Sequence, residues 1–371
     1  MRVGILSKEE VEELNRQKRR ISRPSQERLK FNASAIDLPL GTEYWIMKGS
    51  CRAGKDLRVE DIKKYAKNKK PLKIKRGLVL QRGTVYLIKL DCELNLSETD
   101  IQGKSTARSS IGRLDVLVRL LADGAEEYDR ITPNYVGDLY AEVTPITFNL
   151  TVRPGTCLSQ LRLFRGPERV VTLTNEELRY EKPLPIVDRT GKEMPAPPPD
   201  PHRHGYHFCL DLDPDPLYRF PGFVAKRAVK GSIDPTLEKH YDPQRFWEPV
   251  SAPDGYLQLK TNRLYILRSK ERLKLPEHLA LECQAYTETL GEWRIEYAGF
   301  AHPWFGHARP SGTPIIFEVR GHNISTILTD GIPLGIVSFK RMSRPARRPK
   351  GKRHYERQEL ALSSCFKPWP V

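Results

Sequence analysis

Gly103-Lys104-Ser105-Thr106-Ala107-Arg108-Ser109-Ser110-Ile111-Gly112-Arg113-Leu114-Asp115 is the stretch on which the reading of this chain turns. Between Arg108 and Arg113 it places two guanidinium groups and two adjacent hydroxyls beside Gly112, which can let a ligand approach the backbone closely. Arg supplies a rigid fork of donors and Ser a short donor that costs little entropy to order, so the run suits the anionic oxygens of a phosphate or carboxylate. The residues alone also allow a plainer reading, a solvated basic turn after a strand.

Outward from this run, short apolar segments are broken by Gly and Pro. They predict strands over 77–80, 84–90, 114–121, 139–143, 147–152 and 158–164, and an alternating stretch with Ile36, Leu38 and Leu40 precedes them. A helix is expected over 7–17, capped by Ser7 with Glu10 three residues on, and with Val11 and Leu14 on one face. The first half is therefore mostly β.

The second half repeats the first. Tyr86 and Tyr265, Leu94 and Leu273, Leu96 and Leu275, and Gly112 and Gly291 are each 179 residues apart; Glu142 and Glu318, Gly155 and Gly331, and Leu158 and Leu334 are 176 apart. Ile36-Asp37-Leu38 against Leu210-Asp211-Leu212, and helix-like openings at 7–14 and 172–178, extend the match. We expect two copies of one β-rich domain, 1–170 and 171–371, the second with a Pro-rich opening segment and a basic C-terminal tail. The copies differ chemically. At the 179 offset Arg108 becomes Thr287, Ser109 Glu288, Ser110 Thr289 and Arg113 Glu292, so carboxylates replace cations and would repel a polyphosphate.

Composition narrows the partner. The 371 residues carry a net charge of +16, which calls for an anionic partner, and 39% hydrophobic with 29% charged residues is ordinary for a globular chain. No signal-peptide core opens the sequence and no run approaches a membrane span, so the expected location is cytoplasmic, with no membrane partner. Cys51, Cys92, Cys157, Cys209, Cys283 and Cys365 are scattered, with no pattern for a zinc site or disulfide framework. His202, His204 and His207 beside the Pro-rich segment read as loop histidines. Helical recognition motifs and an RNP-type aromatic strand are not evident, so a nucleic-acid partner is not expected.

Ala107-Arg108-Ser109-Ser110-Ile111-Gly112-Arg113, preceded by Asn32-Ala33-Ser34-Ala35-Ile36-Asp37-Leu38-Pro39-Leu40-Gly41 and followed by Tyr135-Val136-Gly137-Asp138-Leu139-Tyr140-Ala141-Glu142 and Arg153-Pro154-Gly155, resembles dCTP deaminase of the dUTPase-like superfamily. The second half resembles the degenerate copy of its long, two-domain forms. The resemblance implies two tandem distorted β-barrel or jelly-roll domains, trimeric association with shared active sites, and hydrolysis of dCTP to dUTP and ammonia. It implies no zinc, and magnesium carried on the triphosphate. By the same resemblance, Glu142 would shuttle protons, Ser109 and Arg113 would order the water, the base and Glu142, and Arg108 and Ser110 would lie toward the phosphates.

Arg130 stands where the family carries an Arg before its turn, and Gln160 where many relatives place a phosphate-contacting Gln; a solvated Arg and a strand-face Gln are the plain alternatives. Thr132 replaces a common Asp, and an acidic insert spans 123–129. The tail ends His354-Tyr355-Glu356-Arg357-Gln358, similar to the family's Lys-Tyr-x-x-Gln-like segment with His354 in the Lys position. His354, Tyr355 and Gln358 would then close on the triphosphate, and removal of the chain from Gly351 onward would leave the fold intact; a disordered basic tail is the alternative. The rival activity is a dUTPase-type pyrophosphatase, or both steps in one enzyme. A zinc nucleobase deaminase would need an H-x-E and P-C-x-x-C signature, which the sequence lacks.

Overall fold

The computed structural model describes residues 2–18, 20–25, 29–32, 34–195, 205–284, 291–296, 299–348 and 358–370. The chain divides into two compact units, Met1–Pro167 with Lys230–Leu237 and Met342–Ala346, and Glu168–Val229 with Glu238–Arg341 and Arg347–Val371. Both are mainly β.

In the first unit the principal strands are β1 (Ile36–Ile46), β2 (Tyr86–Asn95), β3 (Ile101–Ala107), β4 (Val116–Leu121), β5 (Arg130–Ile131), β6 (Val136–Pro145) and β7 (Cys157–Arg165). Their order across the sheet is β4-β6-β2-β1-β7-β3-β5. Tyr86, Leu87, Ile88, Leu90, Cys92 and Leu94 are all buried, as expected for a central strand covered on both faces. The curl that makes a barrel of this sheet lies in β1, which pairs with β7 through Ile36 and Pro39 and with β2 through Leu40 and Ile46, the register breaking between Leu40 and Tyr44. Gly41 occupies the break, where a Cβ would come within 2.7 Å of the Lys89 carbonyl oxygen.

Beside β2 and β6 a satellite core joins Trp45, Met47, Ala53, Val59, Ile62, Leu87, Leu121 and Tyr140, with the Lys63 ammonium 4.3 Å from the Trp45 ring centroid. At about 1.5–3 kcal/mol for each large apolar side chain, this cluster holds the 47–62 segment onto the sheet. The helix Lys8–Lys18 begins as expected, with the Ser7 N–H donating to Glu10 at 2.9 Å and the Glu10 N–H to Ser7 Oγ at 3.3 Å.

The second unit has β8 (Tyr206–Asp211), β9 (Leu264–Leu273), β10 (Leu279–Cys283), β11 (Trp293–Glu296), β12 (Phe300–Ala301), β13 (Thr313–Gly321) and β14 (Pro333–Arg341). They follow the order β11-β13-β9-β8-β14-β10-β12, the first unit's order strand for strand. Glu142 faces Leu87 across β6 and β2, and Glu318 faces Ile266 across β13 and β9. Tyr86 accepts a hydrogen bond from the Gln81 N–H and Tyr265 one from the Lys260 N–H, both at 3.0 Å.

One pairing needs correction. The Gly155 N–H donates to the Leu40 carbonyl and the Gly331 N–H to the Leu210 carbonyl, while Ser159 faces Leu38 and Gly335 faces Phe208. Leu40 therefore matches Leu210, and Asp37 matches His207 rather than Asp211. The Ile-Asp-Leu likeness misled by four residues, an even number that leaves every side chain on its proper face, so alternation could not reveal the slip. His207 lies in β8, whereas His202, His204 and the Pro-rich segment lie outside the described residues. Among the described residues no helix is long and apolar enough to cross a membrane.

Candidate active site

The 108–113 turn is pinned at both ends. The Arg108 N–H donates to the Leu158 carbonyl at 3.0 Å, and its own carbonyl accepts from the N–H groups of Ile111 and Gly112, opening the short helix Ser109–Gly112. Beyond the helix, Asp115 adopts φ +60°, accepts from the Ile146 N–H through its carbonyl, and takes the Thr147 hydroxyl on its carboxylate. Ser109 and Ser110 are half-buried and Arg113 is buried. The turn is thus a fixed platform of donors.

Arg108 approaches the carboxylate of Asp37, and Gln160 lies opposite that residue in the sheet. Arg108 Nε lies 3.8 Å from Asp37 Oδ1, its Nη1 donates to the Cys157 carbonyl at 3.4 Å, and Gln160 faces Asp37 across β7 and β1. Burial raises the Asp37 carboxyl above its usual range, opposed by Arg108, Lys30 and the Asn32 amide. In the second unit the same register holds His207 opposite Ile336. The charged group and the amide are both gone there.

Arg130 lies on the other side of β3, facing Lys104, with its Nε 3.1 Å from Glu127. Gln358 donates to the Pro314 carbonyl at 3.4 Å in the second unit, while His354 and Tyr355 lie outside the described residues, as do Thr287, Glu288 and Thr289. Glu292 is exposed, 3.9 Å from His322. The segment after 357 is not dispensable to the fold, contrary to expectation. Glu359 pairs with Arg272 and, at 2.6 Å, with Arg309, and Leu360, Cys365 and Phe366 are buried.

Glu142 projects from β6, 3% exposed, with Leu87 on one flank and Arg119 on the other, three residue pairs from the end of β4 where the 108–113 turn enters. Its Oε1 accepts from Ser50 Oγ at 2.6 Å and its Oε2 from the Cys51 N–H at 3.0 Å, with the Tyr128 hydroxyl 3.5 Å from Oε1. Burial raises this carboxyl above the usual range; the donors from Ser50, Cys51 and Tyr128, and more distantly Arg119, hold it back. A carboxyl so placed can both take and return a proton.

Sequence reading did not single out Ser50, Cys51 or Tyr128. Ser50 and Cys51 belong to no motif, and Tyr128 lies inside the acidic insert, whose departure from the family pattern was the only signal. The donors of the 108–113 turn suit phosphate oxygens, and Asp37 beside them is already engaged by Arg108, a set that fits magnesium carried on a nucleotide rather than caged by protein ligands. Asp211, Asp213 and Asp330 cluster in the second unit, but Arg268, Arg189 and Lys270 pair with them at 2.6, 2.7 and 2.6 Å. That cluster is already neutralised.

Comparison with known proteins agrees with this geometry. The model for the 2'-deoxycytidine 5'-triphosphate deaminase N-terminal domain matches residues 2–167, and that for the C-terminal domain of the same enzyme matches residues 180–366. The crystal structure of 2'-deoxycytidine 5'-triphosphate deaminase from Agrobacterium tumefaciens is similar, with a TM-score of 0.80 and 27% identity over 94% of this chain and 100% of that one. No curated protein sequence matches. A barrel repeated strand for strand, an Arg- and Ser-lined turn in the first copy alone, and family matches spanning both halves lead to one conclusion: the chain belongs to the two-domain dCTP deaminases of the dUTPase-like superfamily, enzymes of hydrolytic deamination.

Proposed function

We propose that the first unit converts dCTP to dUTP and ammonia with Glu142 as the proton shuttle and without zinc, supplying dUTP for thymidylate synthesis. The observation that carries this reading is the buried Glu142, raised by desolvation and still held by hydrogen-bond donors on both oxygens. Attack on C4 requires a water that loses a proton, an N3 that gains one and an amine that leaves protonated. One carboxyl of intermediate acidity can perform the three transfers in turn. Ser109 and Arg113 order the water, the base and Glu142; Arg108, Ser110 and Gln160 face the phosphates; Arg130 is a further substrate-binding residue.

His354, Tyr355 and Gln358 are assigned to closure over the triphosphate, from the family pattern of the tail. Magnesium, bound through the nucleotide, neutralises phosphate charge. The absence of the zinc-deaminase signature supports the zinc-free route. Shared sites of the family pattern support a homotrimer, and the sequence supports a cytoplasmic enzyme that needs neither nucleic acid nor membrane.

Incubation with dCTP and magnesium, with ammonia, dUTP and pyrophosphate assayed together, tests the reaction class. Ammonia with dUTP is expected; pyrophosphate from dCTP without ammonia would instead mark a pyrophosphatase, and pyrophosphate following dUTP a bifunctional enzyme. Glu142→Gln tests the shuttle. A positioned acid–base contributes about 10²- to 10⁴-fold, so the variant should bind dCTP and lose nearly all turnover. Retention of more than about a tenth of wild-type kcat removes Glu142 from that role.

A further inference from the structure

We propose that Ser50 and Tyr128 are positioning residues for the deamination, a two-hydroxyl clamp that with the Cys51 N–H fixes both oxygens of Glu142 and favours its ionised form. This rests on Glu142 being the proton shuttle. Ser50 Oγ is 2.6 Å from Glu142 Oε1 and 2.9 Å from the Tyr128 hydroxyl. A serine hydroxyl has one proton to give and lone pairs to receive with, so Ser50 donates to Glu142 and accepts from Tyr128, and both protons point along one chain toward the carboxylate. Burial pushes the Tyr128 phenol up to about 12, so it keeps its proton at working pH.

The clamp is built on rigid supports although Ser50 itself is exposed. Met47 is buried and its N–H donates to the Val85 carbonyl at 2.8 Å; Ala53 is buried on the other side of Ser50. Tyr128 packs against the same satellite core. Oε1 of Glu142 thus has the Ser50 hydroxyl and, at 3.5 Å, the Tyr128 hydroxyl, while Oε2 has the Cys51 N–H. The groups facing Glu142 are few: Leu87 from β2, Arg119 from β4 with its own Nη1 3.0 Å from Asp129, the phenol of Tyr128, and the hydroxyl, amide and thiol of Ser50 and Cys51. The Cys51 thiol is raised by burial and by Glu142, so it stays neutral. Arg119 pairs with Asp129 and acts on Glu142 only from a distance, after the donors of the clamp.

The test is the pH profile of kcat/KM for ammonia release by the full-length enzyme, in wild type and in Ser50→Ala, Ser50→Thr, Tyr128→Phe, Ser50→Ala/Tyr128→Phe and Glu142→Gln. Loss of a donor to the ionised form moves the acid limb of Ser50→Ala to higher pH, by about one unit. Tyr128→Phe moves it less, in the same direction; Ser50→Thr keeps the hydroxyl and restores the wild-type limb. The double variant moves the limb at least as far as Ser50→Ala, since Tyr128 reaches Glu142 both through Ser50 and directly at 3.5 Å. An inactive Glu142→Gln together with an unmoved limb in Ser50→Ala, or a limb moved less in the double variant than in Ser50→Ala, overturns the clamp alone. An active Glu142→Gln overturns the shuttle, and the clamp with it.

Discussion

Glu142 and Glu318 occupy one register position in two copies of one barrel, and only their neighbours tell them apart. Arg119 faces Glu142, whereas Glu296 faces Glu318. Burial of Glu142 has a thermodynamic corollary. Its folded-state pKa lies above that of the unfolded chain, so the stability it contributes is fully present below the unfolded value and is lost as pH rises through the folded one. Glu142→Gln should therefore raise the melting temperature at neutral and alkaline pH, with the advantage shrinking on acidification. Thermal unfolding of both proteins at pH 8 and pH 5 measures this, and equal curves at every pH would deny the burial cost.

Among the elements, β3 is the longest strand of the first unit that sequence patterning missed. Ile101–Ala107 reads Ile-Gln-Gly-Lys-Ser-Thr-Ala, without apolar alternation, because its inward polar groups are paired: Arg162 donates to Thr106 Oγ1 at 2.9 Å and Ser105 Oγ to the Gln160 carbonyl at 3.2 Å. Strands with apolar faces, such as β2, β6 and β7, were legible because burial selects for them, as was the Ser7 cap because its chemistry is local. The motif around Arg108 was legible for its residue types, while Ser50 and Tyr128 were not, since three separate chain segments meet at Glu142. Turns give the repeat its sharpest test. Gly155 at φ +82° and Gly331 at φ +79° make equivalent hydrogen bonds, and a Cβ at either clashes with nothing closer than 3.8 Å. Each Gly→Ala should then cost the same, about 1–2 kcal/mol from left-handed strain alone, read by urea denaturation.

At the scale of the molecule, the two units should differ in chemistry and share responsibility for stability. Arg113→Ala is expected to lose about two orders of magnitude or more in turnover, an effect of the size seen when a preorganised donor is removed, whereas Glu292→Ala leaves it unchanged. Steady-state assays of both variants, each checked for fold by circular dichroism, decide the matter, and equal losses would contradict a single live copy. Glu359→Ala removes the carboxylate from the buried Arg272, which keeps only the Ser311 and Gly312 carbonyls, and should destabilise the second unit by about 2 kcal/mol, less than for a fully buried pair because Glu359 is partly exposed. Chemical unfolding of this variant measures the loss. The first unit also contains Lys230–Leu237 and Met342–Ala346: Ser232 extends the pairing of Asn149, Asp234 meets Arg153, and Ser343 donates its N–H to the Ile5 carbonyl and its hydroxyl to Glu10 at 2.5 Å. A ribosome releases those residues long after Pro167 has emerged, so the side of Ile5 that pairs with Met342 and Ser343 stays open in the nascent first unit until most of the second has been made. Synthesis of this chain is thus a race in which the earlier domain finishes almost last, and a pause in translation before residue 342 would prolong the exposure of its unfinished edge.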